Sequence, residues 1–304
     1  MLLRRLCSPL FALSLVALAC ASACTKDKAS APANDRSAAP DTASPSARAP
    51  KPELPDAAEL LAAHVDAAGG ADKVAAFDSL HAKGTVAAPG QKLHGTMEMW
   101  WQKGGKFYLE QTIEGVGRSR VGYDGHTIWV DDPITGLRIL QGKEAASYIQ
   151  TSLMFLGLDW AEHFSAAKTL GKRETDAGEE VWEVELESKR GVDMTLGLDT
   201  ETKLIRYIKT TQITPMGPMP IEAHSEDYQD LDGYRFSMKK RSSIKGLIEL
   251  QETIETLEAN VEVDERLFLF PATREQVAAD PRDQPPVEAP AEHSSADSAA
   301  ADEP

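Results

Sequence analysis

The chain of 304 residues is poor in cysteine: Cys7, Cys20 and Cys24 all lie near its start. No disulfide can form beyond Cys24, and thiol catalysis or a zinc-cysteine site is excluded there, so an exported domain would be held by its core alone. Histidine is sparse and unpatterned. His64, His81, His94, His126, His163, His224 and His293 show no H-x-x-x-H, H-E-x-x-H or H-x-x-E-H spacing, the arrangements that set two imidazoles on one helical face for a metal. No G-x-S-x-G turn exposes a serine nucleophile. Gly115-Val-Gly117-Arg-Ser-Arg-Val-Gly122 departs from G-x-G-x-x-G and falls between strands rather than opening a helix. His224 and Glu226 would share a strand face, yet the next residue on that face is Tyr228, which supplies no second carboxylate. The expectation is no enzyme, no metal and no cofactor. Positive charge is also in deficit, with 32 Lys and Arg against 48 Asp and Glu and a net charge of −16. Phosphate backbones require a basic face, so a nucleic-acid partner is not expected, and Lys239-Lys240-Arg241 reads as the solvent side of a strand.

What is present begins with an address. Arg4 and Arg5, an apolar run from Leu10 to Ala19 and the small residues Ala21-Ser22-Ala23 describe a secretory signal peptide, its apolar run too short to span a bilayer. Small residues directly before Cys24 resemble the lipobox of bacterial lipoproteins. The resemblance implies cleavage at that point and lipidation of Cys24, with Cys20 as the alternative and ordinary cleavage near Ala23 as the competing outcome. Thr25 in place of Asp after that cysteine points to the outer membrane, facing the periplasm.

Composition then divides the chain. Residues 1–23 are the signal peptide. Residues 24–55, rich in Ala, Pro and Ser, cannot bury enough apolar surface to offset ordering entropy and read as a disordered tether reaching roughly 30 Å as a flexible coil. Residues 56–271 form the folded domain, and 272–304 an acidic disordered tail. Asp56 can cap a helix whose Leu60, Leu61, His64, Val65 and Ala68 share a face before Gly69-Gly70 ends it. From about His81 the period becomes two, with strand candidates near 81–88, 92–102, 106–114, 117–123, 126–131, 136–140, 167–174, 180–188, 191–199, 203–213, 221–229, 234–241 and 245–262. A helix near 143–156 carries a stripe of Ala145, Tyr148, Ile149, Ser152, Leu153 and Leu156, and Asp159 can cap a short second piece. The expected class is α+β: a large curved antiparallel sheet, an unclosed β-barrel of about ten to twelve strands, covered by N-terminal and central helices.

Several stretches carry a resemblance in their order. They are His64-Val-Asp-Ala-Ala-Gly-Gly-Ala-Asp-Lys-Val-Ala-Ala-Phe-Asp-Ser-Leu80, Tyr123-Asp-Gly-His-Thr-Ile-Trp-Val130, Leu198-Asp-Thr-Glu-Thr-Lys-Leu204, Tyr228-Gln-Asp-Leu-Asp-Gly-Tyr-Arg-Phe236 and Leu267-Phe-Leu-Phe-Pro271. Together the domain resembles the superfamily of bacterial lipoprotein carriers and receptors, LolA and LolB. That resemblance implies a hydrophobic cavity between sheet and helices, holding a lipid, an acyl chain or another apolar molecule, with binding or transfer as the function and other envelope proteins as further partners. The alternative is a structural or interaction lipoprotein with a filled core. By face, the candidate ligand-binding residues are Met97, Met99, Trp101, Phe107, Leu109, Leu153, Phe155, Trp182 and Leu196. Pro215-Met216-Gly217-Pro218-Met219-Pro220 is the candidate for an exposed apolar loop.

Overall fold

A computed structural model describes residues 53–158, 160–244 and 248–271. The signal peptide, Cys20, Cys24, nearly all of the tether, Asp159 and the acidic tail lie outside the described residues. Asp56 Oδ1 accepts hydrogen bonds from the N–H groups of Ala58 and Glu59 at 2.8 and 3.2 Å. Two donors otherwise orphaned at a helix start are thereby satisfied, and α1 runs Ala57–Ala68. At its end Gly69 adopts φ +139°, and a Cβ there would sit 2.3 Å from the Gly233 carbonyl oxygen. The short α2, Ala71–Ala75, follows, and Val74, Phe77 and Leu80 carry the buried stripe into the first strand.

Thirteen strands form one antiparallel sheet where about ten to twelve are expected. They are β1 Ser79–Ala88, β2 Leu93–Gln102, β3 Lys106–Ile113, β4 Gly117–Tyr123, β5 Ile128–Asp132, β6 Gly136–Ile139, β7 Phe164–Glu174, β8 Glu180–Ser188, β9 Met194–Asp199, β10 Ile205–Thr214, β11 Gly217–Leu231, β12 Tyr234–Ile244 and β13 Ile248–Ala259. Their order, β6-β5-β4-β3-β2-β1-β13-β12-β11-β10-β9-β8-β7, is two meanders joined by the β1–β13 pair. The sheet is not closed: β6 and β7 are its two ends. The chain must therefore leave one end and rejoin the other, and the connection holds α3, Gly142–Thr151, and α4, Trp160–His163. A flat sheet of this width would put its ends roughly 60 Å apart. A segment wound largely into helix and turns cannot bridge that, so it lies across the face of a sheet that curls beneath it.

The curl is visible in one hydrogen bond. Gln111 of β3 donates from Nε2 to Glu252 Oε1 of β13 at 2.9 Å, although β2 and β1 stand between them. Side chains reach across three inter-strand steps only where the sheet bends sharply toward them. Gly84 and Gly95 sit at that bend: a Cβ on Gly84 would lie 1.9 Å from the Thr253 carbonyl oxygen, and one on Gly95 2.0 Å from that of Thr112. Close backbone approach of this kind is what glycine in a strand interior marks.

α3 ends earlier than its stripe predicts. The Thr151 hydroxyl donates to the Ser147 and Tyr148 carbonyls at 3.0 and 3.1 Å, and that of Ser152 to Tyr148 at 2.8 Å. These bonds satisfy the last carbonyls locally and compete with continuation of the helix. Residues after Ser152 turn back over the sheet instead.

Three buried clusters result. Ala57, Leu60 and Leu61 of α1 pack on Val184, Leu186, Met194, Leu196 and Leu198 of β8 and β9. Val74 and Phe77, with Tyr148 of α3, meet Trp101, Phe107, Val121, Tyr234 and Phe236. Val86, Ala88, Ile113, Ile221, Ile244, Ile248 and Leu250 close one end of the curled sheet with their own side chains. On the opposite face Trp129 covers Gly122 and donates from Nε1 to the Phe268 carbonyl at 2.9 Å, fixing the C-terminal segment.

Gly84→Ala should destabilise the protein by about 1–3 kcal/mol, the range for forced overpacking, because the obstructing atom is backbone and cannot rotate away. Urea unfolding measures it. Gly90→Ala, whose Cβ meets nothing within 4 Å, is the control and should leave the midpoint unchanged or slightly raised. Equal effects at both positions would remove the bend from the account.

Candidate functional site

Between the concave face and the turns after α3 lies a half-open cavity of about 270 Å³, just under the roughly 300 Å³ at which small-ligand pockets begin. Register explains where it forms. Met97, Met99 and Trp101 of β2 stand opposite Gly84, Ala82 and Leu80 of β1. The two small residues beside the long, adaptable methionines leave them room, the kind of irregular space such side chains fill well. Phe107 and Leu109 of β3 and Val121 of β4 continue one wall; Ile254 and Leu257 of β13 and Phe236 and Met238 of β12 form the other. Leu153, Met154 and Leu156, in the turns after α3, roof it.

Polar groups also line this space: Thr151 and Ser152 in the roof, Ser225, Arg235 and Ser237 on the strands, and two further sets. At one end His64 of α1 lines the cavity and Nδ1 lies 3.1 Å from the Lys203 carbonyl oxygen. A carbonyl only accepts, so Nδ1 carries the proton and Nε2 is left as an acceptor in the neutral ring. Burial holds the His64 pKa below its ordinary value, against the smaller raising effect of that carbonyl. Nearby, burial pushes the Tyr228 hydroxyl up to about 12 while it donates to the Ile205 carbonyl at 2.7 Å, and burial likewise raises Tyr234. At the other end Lys240 and Glu252 face each other across β12 and β13, 3.7 Å apart.

The residues singled out in the sequence separate into two groups. Met97, Met99, Trp101, Phe107, Leu109 and Leu153 are brought together around the cavity. Phe155 is not part of the lining: it stacks on Phe77 at 6.2 Å and meets Trp101 and Tyr234 edge-on at 5.1 and 5.4 Å, plugging the space beside the cavity. Leu196 is fully buried under α1, and Trp182 packs at the margin of the same cluster with Lys172 Nζ 5.1 Å from its ring. Leu196 shares its cluster with Leu60 and Leu61 of α1, and half-buried Trp182 stands at the edge of that cluster, away from the cavity. Of the loop methionines, Met216 is 51% exposed at the β10–β11 turn, while Met219 packs on the cluster that closes the end of the sheet.

Lys239-Lys240-Arg241 corrects a second expectation. Lys239 and Arg241 face outward and pair with Asp227 and Glu226 at 3.2 Å each. Lys240 lies between them on the alternating strand and points the other way, into the cavity. His64, Tyr234 and Glu252 were likewise not singled out. The signal for the wall of β12 was the even-numbered series Tyr234, Phe236, Met238, Lys240, which is apolar until its last member. His224, weighed for catalysis with Glu226, instead contacts Glu222 at 3.1 Å. Among the described residues no group of three or more His, Cys, Asp or Glu is placed to hold a metal ion.

No family model and no curated protein sequence matches the chain. Among solved structures it is similar to a DUF1329 family protein from Desulfovibrio piger, at 13% identity and a TM-score of 0.48, over 70% of this chain and 97% of that one. It is similar to an outer membrane lipoprotein-sorting protein domain from Vibrio parahaemolyticus at 12% identity and a TM-score of 0.47, over 70% and 95%. A LolA superfamily protein from Nitrosomonas europaea gives 13% and 0.48, over 71% and 98%. Likenesses of this size say nothing of what the chain binds.

The neutral His64 generates a pH dependence. The unfolded chain takes up a proton near pH 6.5 that the folded chain refuses until lower pH, so stability is present above about 6.5 and falls as the pH drops below it. Thermal unfolding at pH 7.5 and 5.5 should show a larger loss for the wild type than for His64→Gln, which keeps a donor for the Lys203 carbonyl. Equal losses would exclude His64 as the source.

Proposed function

We propose that this chain is a lipid-anchored protein of the bacterial cell envelope that binds a lipid, an acyl chain or another apolar molecule in the half-barrel cavity, without catalysing a reaction. The observation that carries the proposal is the cavity itself: a lining made mostly of Met, Leu, Ile and aromatic side chains between a curled sheet and a separate roof. Apolar surface left half open to water is costly at about 25 cal/mol per Å², and an apolar occupant removes that cost. The sequence resemblance to lipoprotein carriers and receptors supports the same class of ligand. Attachment is assigned to Cys24, with Cys20 the alternative, and the membrane to the outer membrane on its periplasmic side. The domain boundaries follow: signal peptide 1–23, tether 24–55, folded domain 56–271, acidic tail 272–304. The tether then holds the cavity within tens of ångströms of the bilayer, and the acidic domain is repelled by anionic lipid rather than lying flat on it. Other envelope proteins are proposed as partners in delivering or receiving the ligand.

A second reading draws on the modest size of the cavity and on the aromatic plug around Phe155. In it the interior is functionally filled and the protein works through its surface as a structural or interaction lipoprotein.

The two readings separate in one experiment. The full chain, produced in a membrane-containing bacterial host, is purified and extracted for mass spectrometry, then offered a fluorescent fatty acyl probe. Ligand carriage predicts co-purifying lipid or saturable probe uptake, and Leu109→Trp, which fills the cavity from its wall, should weaken uptake by about tenfold or more, equivalent to about 1.4 kcal/mol. Absence of both lipid and uptake in the wild type would leave the filled-core reading.

A further inference from the structure

Lys240 and Glu252 form the one pair of opposite charges in the cavity lining, where Arg235 is the only other charged residue, and their geometry is incomplete. They are direct cross-strand neighbours, and Ser225 of β11 is the next residue in the same row. The Glu252 side chain is only 8% exposed. Its Oε1 is held by Gln111 at 2.9 Å, whereas Oε2 receives no hydrogen bond among the described residues: Lys240 Nζ stands 3.7 Å away, outside hydrogen-bond length. That oxygen, ion-paired but not hydrogen-bonded, keeps accepting capacity for a further donor. The Lys240 ammonium, 38% exposed at the open side, has three N–H donors to offer. Resting on the apolar-ligand reading, we infer that the cavity takes an amphiphile with an uncharged, hydroxyl-bearing head, seated between Glu252 Oε2 and Lys240 Nζ, with its chain running along β12 toward Tyr234.

The charges decide the class of head. The pair is neutral as a whole, so an anionic head gains Lys240 but meets Glu252, and a cationic head gains Glu252 but meets Lys240. Either sets a like charge within a few ångströms of one member of the pair, which offsets the attraction of the other. A hydroxyl does neither: it donates to the free carboxylate oxygen and accepts from the ammonium at once. Along the wall, Lys240 to Tyr234 spans roughly 20 Å of strand, with Phe236 and Met238 between them and Ile254 and Met97 beside them. One polar end and an apolar run is the layout an amphiphile needs. A ligand that is a bare hydrocarbon would leave the Glu252 oxygen as it is.

The test uses four ligands with one lauroyl or dodecyl chain: monolaurin, laurate, methyl laurate and dodecyltrimethylammonium, each titrated into the full chain with tryptophan fluorescence as the readout. Monolaurin should bind at least about tenfold tighter than methyl laurate, a difference of about 1.4 kcal/mol, with both ionic probes weaker than monolaurin. Lys240→Met and Glu252→Gln should weaken monolaurin by about the same tenfold and the ester by clearly less, so that the preference between the two is lost. Lys240→Arg, which keeps the charge, should retain the preference and guards against a folding defect. If monolaurin and the ester bind equally, if an ionic probe binds tightest, or if the variants weaken ester and monolaurin alike, the assignment of the head is overturned while the apolar cavity stands. If no ligand binds, both fall.

Discussion

The connection between β6 and β7 has to pass from one end of a thirteen-stranded sheet to the other, and most of the architecture follows from that requirement. A sheet left flat would put the two ends beyond its reach. The sheet curls instead, and the curl converts a wide surface with one apolar face into a trough. The connecting segment then lies over the trough and becomes its roof. Gly84 and Gly95 admit the close backbone approach that the bend needs, and Gln111 and Glu252 meet across it. Chain topology, glycine placement and the buried polar pair are thus three aspects of one bend.

Hollow and filled regions of the trough differ in what lies above small residues. Under α1, Leu60 and Leu61 reach down to Leu196 and Leu198, and the interior is solid. At the far end, isoleucines and valines from five strands meet without any helix. Between these, Ala82 and Gly84 stand beside methionines and the roof is made of turns rather than a helix, so the packing remains incomplete. Protein interiors otherwise approach crystal density, which makes the localised deficit informative.

Much of the fold was legible because its signals are local. Period-two alternation located every strand, and Asp56 marked the start of α1. The site was legible only in part. Met97, Met99 and Trp101 could be placed on one face from alternation, but so could Trp182 and Leu196, and nothing in their own segments tells which helix will lie over them. Lys240 was hidden for the opposite reason. It sits in a run of three basic residues that reads as a solvated face, although the same alternation that exposes Lys239 and Arg241 turns it inward. The early end of α3 was obscured because Thr151 and Ser152 fit the stripe as side chains while their hydroxyls compete for the helix's carbonyls.

The two free ends of the sheet bear on its mechanics. In a closed barrel the girth is fixed by a ring of ladder hydrogen bonds, and swelling it means breaking a strand pair. Here β6 and β7 end the strand order, so splaying them widens the trough without removing any of those bonds. Resistance falls on the turns after α3 and on the side chains beneath them, which are held by apolar packing and relax in small steps. The girth of the trough is accordingly set by side-chain packing under its roof and not by a closed ring of ladder bonds.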